Sequence, residues 1–365
     1  MSGAFFDNAE ARPGLRVIAL LVVALAGCGA DEPRSPRPVR WGGQTMGTTY
    51  SVALAALPEG ATQEDFAAAV EAELAEVNRQ MSTWDPDSEL SRFNASDSTD
   101  WFPVSAETAA VTALALEIAA DSGGAFDPTV GPLVDLWGFG DGPRPTRVPT
   151  EEELAAVRAS VGYKRLHVRD DPPALRKDVP GLRVDLSAIA KGHGVDRVAD
   201  RLTAAGASDF LVEVGGELRA AGTKASGERW RAGVETPVDD VTGARRDVRR
   251  GVPLGAATTT AALATSGNYR NFYQLGTETV VHTIDPRTGR PATVPEDAPI
   301  LASVSVAAAD CATADALATA TMVLGPEEGR DLLERRGVAA LLILRVDGAF
   351  REAPTAEWRR LFDGP

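Results

Sequence analysis

The stretch ATADALATATMVLG (Ala312–Gly325) places one carboxylate, Asp315, four residues before a hydroxyl, Thr319, in a run of alanine and small apolar residues. Positions i and i+4 share one face of a helix, so both oxygens can reach a single ion. The three histidines, His167, His193 and His282, are too few and too scattered for a zinc cluster, so a metal held here prefers oxygen donors. VDLSAIAKGHGVD (Val184–Asp196) reads as a strand ending in Asp185, a turn, and a helix start carrying Lys191 and Gly192. Free amides at a helix N-terminus beside an ammonium suit a phosphate, although the spacing is not that of a P-loop. HTIDPRTGRPA (His282–Ala292) sets His282 near Asp285, ahead of a turn forced by Pro286, Gly289 and Pro291, which makes His282 a candidate base.

Three further segments are rich in Gly, Thr and Asp. GGAFDPTVGPLVDLWGFG (Gly123–Gly140) is an irregular loop whose Phe126, Trp137 and Phe139 either flank a planar ring or plug the core beneath it. Gly215 and Gly216 in VEVGGELRAAG permit close approach of a ligand, or a bulge. Thr265, Ser266 and Gly267 in ATSGNYRNF suit phosphate contacts or a plain turn. Taken singly, each of these motifs, Asp315 with Thr319 included, also reads as an ordinary turn, cap or solvated helix face.

The elements that must position these residues follow from periodicity. QTMGTTYSVALAAL reads as a first strand, and TQEDFAAAVEAELAEVNRQM as a helix with Phe66, Val70, Leu74, Val77 and Met81 in one stripe behind a Thr62 cap. Further helices are expected over Ser105–Ser122 and, behind a Thr150/Glu153 capping box, to about Val161. RLHV, LRVDL, FLVEV, RWRAGVE, VVHTID, ASVSVAA and AALLILRV read as strands, with helices after VDLSAIAKG, around Asp315 and from Pro326. Hairpin-length connections with grouped helices argue for an α+β fold over a doubly wound parallel sheet.

The N-terminus is of another kind. Arg12 and Arg16 precede the apolar run VIALLVVALA, too short to span a bilayer comfortably, and LAGC (Leu25–Cys28) has the form of a bacterial lipobox. We therefore expect a lipoprotein signal peptide over residues 1–27, a lipidated Cys28 with a Pro- and charge-rich tether over 28–40, and a folded domain over 41–365 on the extracytoplasmic side of a bacterial membrane. Lipidation of Cys28 leaves Cys311 as the one other thiol and excludes an intramolecular disulfide. A formal net charge of −15 argues against nucleic acid and anionic lipid as partners.

In their order along the chain, TMGTTY, MSTWDPDSELSRFN, GAFDPTVGPLVDLWGFG, VDLSAIAKG, VGGELRAAG, ATSGNYRNF, HTIDPRTGRP and ATADALATATMVLG resemble the ApbE family of FAD:protein FMN transferases, from about Thr45 to Gly325. The resemblance implies an α+β fold of mainly antiparallel sheets flanked by helices, in two lobes with the FAD site in the cleft. It implies Mg²⁺-dependent transfer of the FMN moiety of FAD, as substrate, to a Thr or Ser hydroxyl of an acceptor flavoprotein subunit of a membrane redox complex, with release of AMP. By the same resemblance Met46, Trp84, Ala125, Phe126, Asp127, Asp185, Lys191 and Ile284 line the FAD site. The resemblance also implies that the carbonyl of Ala188 and the side chains of Asp315 and Thr319 hold the metal, while the neutral imidazole available near neutral pH makes His282 the candidate base for the incoming hydroxyl. Many relatives carry a second carboxylate where this chain has Ala318, and Tyr at the positions of Trp84 and His193. No Asp-x-x-Thr-Gly-Ala-Thr acceptor motif occurs here, so the protein modified is expected to be another one. Two alternatives use the same residues: an FAD pyrophosphatase giving FMN and AMP, and a lipid-anchored flavin binder without turnover.

Overall fold

The computed structural model describes residues 38–140, 142–237, 247–255, 261–268, 271–276, 278–292 and 299–364. The signal peptide, Cys28 and most of the expected tether lie outside them. The first strand begins at Val39, two residues before the expected start at Trp41.

Eight strands stand in chain order in one sheet with every neighbouring pair antiparallel: β1 (Val39–Thr45), β2 (Thr48–Leu54), β3 (Phe210–Val214), β4 (Glu217–Ala221), β5 (Ala262–Gly267), β6 (Ile300–Ala308), β7 (Ala339–Val346) and β8 (Ala349–Pro354). Long excursions between β2 and β3 and between β6 and β7 supply the main helices: α1 (Gln63–Met81), α2 (Ala106–Asp121), α3 (Ser187–Ala204) and α4 (Cys311–Arg335). The class is α+β, as expected.

Alternation along the strands shows why the central ones are so apolar. Val304 and Val306 of β6 and Ala340 and Leu342 of β7 join the core under α2, α3 and α4, whereas Ala307, Ala339, Leu341 and Ile343 point to the opposite core. That second core is closed by Trp358 and the ribbon Trp230–Glu235 with Val248–Leu254. A sheet covered on both faces favours apolar residues on both, hence the unbroken apolar run AALLIL that opens β7.

The helices follow their local signals. Thr62 Oγ1 accepts the Asp65 amide at 3.2 Å, and the stripe Phe66, Val70, Leu74, Val77 and Met81 is buried. The Thr150/Glu153 capping box forms at the helix Glu151–Arg158. In α4, Gly325 at φ 80° breaks the helix before Pro326, giving the two expected helices end to end.

Three expected strands differ, the first being VVHTID, which breaks at His282 and Thr283 into the ends of two separate hairpins, Glu278–Val281 and Ile284–Asp285. QTMGTTYSVALAAL is a hairpin, because Met46 (φ 48°) and Gly47 (φ 69°) make a tight turn between Thr45 and Thr48. LRVDL joins no strand among the described residues. The Asn94 side chain takes the ladder's place: Val184 N–H donates to Asn94 Oδ1 at 2.7 Å, and Asn94 Nδ2 donates to the Val184 carbonyl at 2.8 Å.

His193, on α3, has a buried Nε2 with no partner among the described residues, and burial together with Arg197 pushes its pKa down to about 4. The folded value lies below the unfolded one near 6.5, so this stability is full above pH 6.5 and is lost as pH falls toward 4. Relative to the wild type, His193→Gln should gain about 1–2 kcal/mol between pH 7.5 and pH 5. Urea unfolding of both proteins at the two pH values checks this, and the difference cancels carboxylates such as Asp196, which burial pushes up to about 6.

Candidate functional site

A cavity of about 450 Å³ opens where α3, α4 and the end of β5 face the loop after α2 and the segment 282–284. Of the residues singled out in the sequence, Ala125, Phe126, Asp127, Asp185, Ala188 and Lys191 line it, together with His282, Ile284, Asp315 and Thr319. Met46 and Trp84 do not. Met46 sits in the β1–β2 turn with its thioether against α3, where a β-carbon on Gly194 would lie 2.9 Å from its Cε. Trp84 is 70% exposed, in a turn where Ser82 Oγ accepts the Trp84 and Asp85 amides at 3.1 and 3.0 Å.

The deep end is ionic. Asp315 is buried, and Gly192 N–H of α3 donates to its Oδ2 at 3.1 Å. The Lys191 ammonium lies 3.4 Å from Asp315 Oδ2 and 3.0 Å from Glu217 Oε1 at the start of β4. Burial works against the charge on Lys191, but Asp315 and Glu217 together hold its pKa above the usual lysine value. Burial pushes both carboxyls up, with Lys191 opposing it.

Two devices bring α3 close enough to α4. A β-carbon at Gly192 would meet the Cys311 carbonyl oxygen at 2.3 Å, so only glycine permits this approach. One turn later Asp196 accepts the Cys311 amide at 2.9 Å and the Ala312 amide at 2.9 Å, while Arg219 donates to it at 2.9 Å. A carboxylate from one helix thereby caps the N-terminus of the other.

Thr319 stands one turn after Asp315 on the same face, and its Oγ1 is 3.4 Å from Ser266 Oγ. In a helix the Gly192 amide would close on the Ala188 carbonyl, and here it also serves Asp315, so that carbonyl shares its partner. Among the described residues no three His, Cys, Asp or Glu side chains gather as a metal cluster. The donors are one carboxylate, one hydroxyl and one carbonyl, all hard oxygens, which fit a small divalent cation that completes its shell with phosphate and water.

The outer end is apolar with one imidazole. Phe126, Phe139 and Ile284 line it. Trp137 instead plugs the core beneath the loop, its Nε1 donating to the Gly289 carbonyl at 2.8 Å. Asp127 is committed within its loop: Oδ1 accepts Thr129 N and Oγ1 at 2.8 and 2.6 Å, and Oδ2 accepts Tyr163 N at 2.8 Å. Asp185 Oδ1 accepts the Ser187 amide at 2.8 Å at the start of α3.

His282 Nδ1 lies 3.2 Å from the Asn271 carbonyl. A carbonyl only accepts, so Nδ1 carries the proton and Nε2 is left as the base. Burial pushes the His282 pKa below the ordinary histidine value. Asp285, expected beside His282, pairs instead with Arg287 at 2.9 Å, because the turn folds its own arginine back onto it. Glu217, Asp196 and Asn271 were missed as site residues in the sequence; the one local signal was the Gly215–Gly216 pair before Glu217.

Fold and cavity together define an α+β protein with a cavity that gathers hard oxygen donors, a lysine ammonium and an imidazole. The ApbE family profile matches residues 46–342. An FAD:protein FMN transferase of Vibrio cholerae is 41% identical over 338 residues, covering 93% of this chain and 96% of the relative. The solved flavin transferase ApbE from Vibrio cholerae superposes with a TM-score of 0.78 at 40% identity, over 89% of this chain and 99% of that one. The apo flavinyl transferase ApbE of Pseudomonas stutzeri gives 0.79 at 37% identity, over 90% and 98%. The chain belongs to the ApbE family.

Gly192→Ala should cost about 3 kcal/mol, since the methyl group meets backbone that cannot step aside. A urea midpoint equal to that of the wild type would show that the close approach of α3 and α4 is not required.

Proposed function

We propose that this chain transfers the FMN moiety of FAD to a threonine or serine hydroxyl of another protein. The phosphoester to the acceptor oxygen forms as the pyrophosphate bond breaks; AMP departs and the hydroxyl proton passes to His282. The observation that carries the reading is a single cavity holding the Asp315/Thr319 pair, the Lys191 ammonium and a neutral imidazole.

Each residue has a role set by its surroundings. Phe126, Phe139 and Ile284 offer an apolar wall to the flat isoalloxazine. Lys191 places positive charge beside the phosphates, which phosphoryl transfer needs more than covalent help from the protein. His282 Nε2 receives the proton of the incoming hydroxyl, and its lowered pKa keeps it unprotonated at neutral pH. Asp315, Thr319 and the Ala188 carbonyl would hold Mg²⁺, which when bound polarises phosphoryl oxygens and neutralises developing charge. Ala318 is fully buried in the core beneath α4 and, unlike Asp315 and Thr319, does not line this cavity.

The lipobox-like LAGC supports a lipid anchor at Cys28 on the extracytoplasmic side, within reach of acceptor subunits of membrane redox complexes. The test combines the purified protein, FAD, Mg²⁺ and a candidate acceptor domain, and follows AMP together with acceptor mass. AMP with an FMN adduct on a threonine or serine is expected. AMP with free FMN and no adduct across several acceptors would make it a pyrophosphatase, and intact FAD would leave a flavin binder.

His282→Ala should lower the transfer rate about 10²–10⁴-fold at saturating FAD and acceptor. In the wild type the acidic limb assigned to this residue should fall below pH 6.5, because a base with a lowered pKa stays neutral further into acid. An unchanged rate in His282→Ala would remove the base from this position.

A further inference from the structure

Glu217 is 4% exposed, and its Oε2 has no hydrogen-bond partner among the described residues while Oε1 holds Lys191 at 3.0 Å. A buried carboxylate oxygen left without a partner is costly, so its retention calls for a use. Its placement is specified by the chain. Gly215 and Gly216, at φ 64° and 109°, turn β3 into β4, and a β-carbon on Gly215 would lie 3.1 Å from Lys191 Cδ and 3.3 Å from Glu217 Oε2. The space around both groups is thus kept clear by glycine.

Two positive charges compete for Asp315: the Lys191 ammonium at 3.4 Å and any divalent cation held with Thr319 and Ala188. Lys191 and Asp315 alone would be neutral and would draw no cation. With Glu217 and Asp315 both ionised the cluster carries one net negative charge, and the ammonium has a second seat whose Oε2 has no partner among the described residues. We infer that Glu217 is a positioning residue that draws the Lys191 ammonium off Asp315 and so keeps Asp315 available to the divalent cation. Entry of the cation shifts Lys191 wholly onto Glu217, and Oε2 accepts the ammonium hydrogen that Asp315 gives up.

This rests on the magnesium reading above, and binding of the metal alone separates the two. Mg²⁺ is titrated calorimetrically, and Mn²⁺ by electron paramagnetic resonance, into the purified full-length protein without FAD or acceptor. Glu217→Gln should raise the metal Kd about 10–100-fold, the usual range for partners of metal ligands. The double variant Glu217→Gln with Lys191→Met restores the wild-type net charge around Asp315 and should return to wild-type affinity. A Kd in Glu217→Gln equal to that of the wild type overturns the inference and leaves the metal site standing. A double variant as weak as Glu217→Gln also overturns it, since Glu217 would then act on the metal or the fold rather than through Lys191. Absence of metal binding by the wild type removes the magnesium reading and this inference with it.

Discussion

The site is organised around a carboxylate, Asp315, buried in a helix of alanines. A lone ionised carboxyl in that setting is prohibitively costly, so the fold surrounds it with the Gly192 amide and the Lys191 ammonium. Both come from α3, and both reach Asp315 only because α3 meets α4 at backbone distance. The glycine at 192, the cap that Asp196 sets on Cys311 and Ala312, and the Arg219 bond to that cap all serve this one approach. The large sheet beneath fixes the two helices as a pair, since both pack on the face that carries Val304, Val306, Ala340 and Leu342.

A different part of the molecule positions the imidazole proposed as the base. His282 belongs to no strand of the large sheet; it lies between a short hairpin and a tight turn whose residues pack into a small separate core with Leu133, Trp137 and Tyr273. Trp137 ties that core across the chain, donating to Gly289 and accepting from the Tyr273 hydroxyl at 2.7 Å. The aromatic loop that lines the outer end of the cavity therefore also sets the height of the imidazole above it. The described residues group as one compact unit, which holds the core under the helices, the core behind the sheet and the small core around Trp137.

What the sequence disclosed follows from how far each signal reaches. Helix spacing, the Thr62 and Thr150 caps and the Gly325–Pro326 break are local, and each appears where the residues put it. The Asp315–Thr319 pair was legible for the same reason, being one turn apart. Glu217 was not, because its meaning lies in Lys191, distant in the chain, and a glutamate after two glycines carries no mark of burial. The same limit misread Asp285: nearness in sequence suggested a partner for His282, but a rigid turn gave it to Arg287, and the imidazole took a backbone carbonyl instead. LRVDL failed as a strand because a single asparagine side chain can satisfy both polar groups of Val184, something period-two patterning cannot register.

These two supports imply different sensitivities. The ionic end is held by helix backbone in contact with helix backbone, so substitutions there act through packing and charge at once. The His282 imidazole is held, among the described residues, by one hydrogen bond from Nδ1 to the Asn271 carbonyl, with Phe139 edge-on at 6.3 Å. Weak restraint suits that role, since a general base needs its final geometry only when the acceptor hydroxyl arrives, whereas charged groups that neutralise phosphate must be in place beforehand. The division between a preorganised charged floor and a lightly held imidazole suits the proposed transfer, in which one substrate is a phosphorylated small molecule and the other a side chain of a second protein.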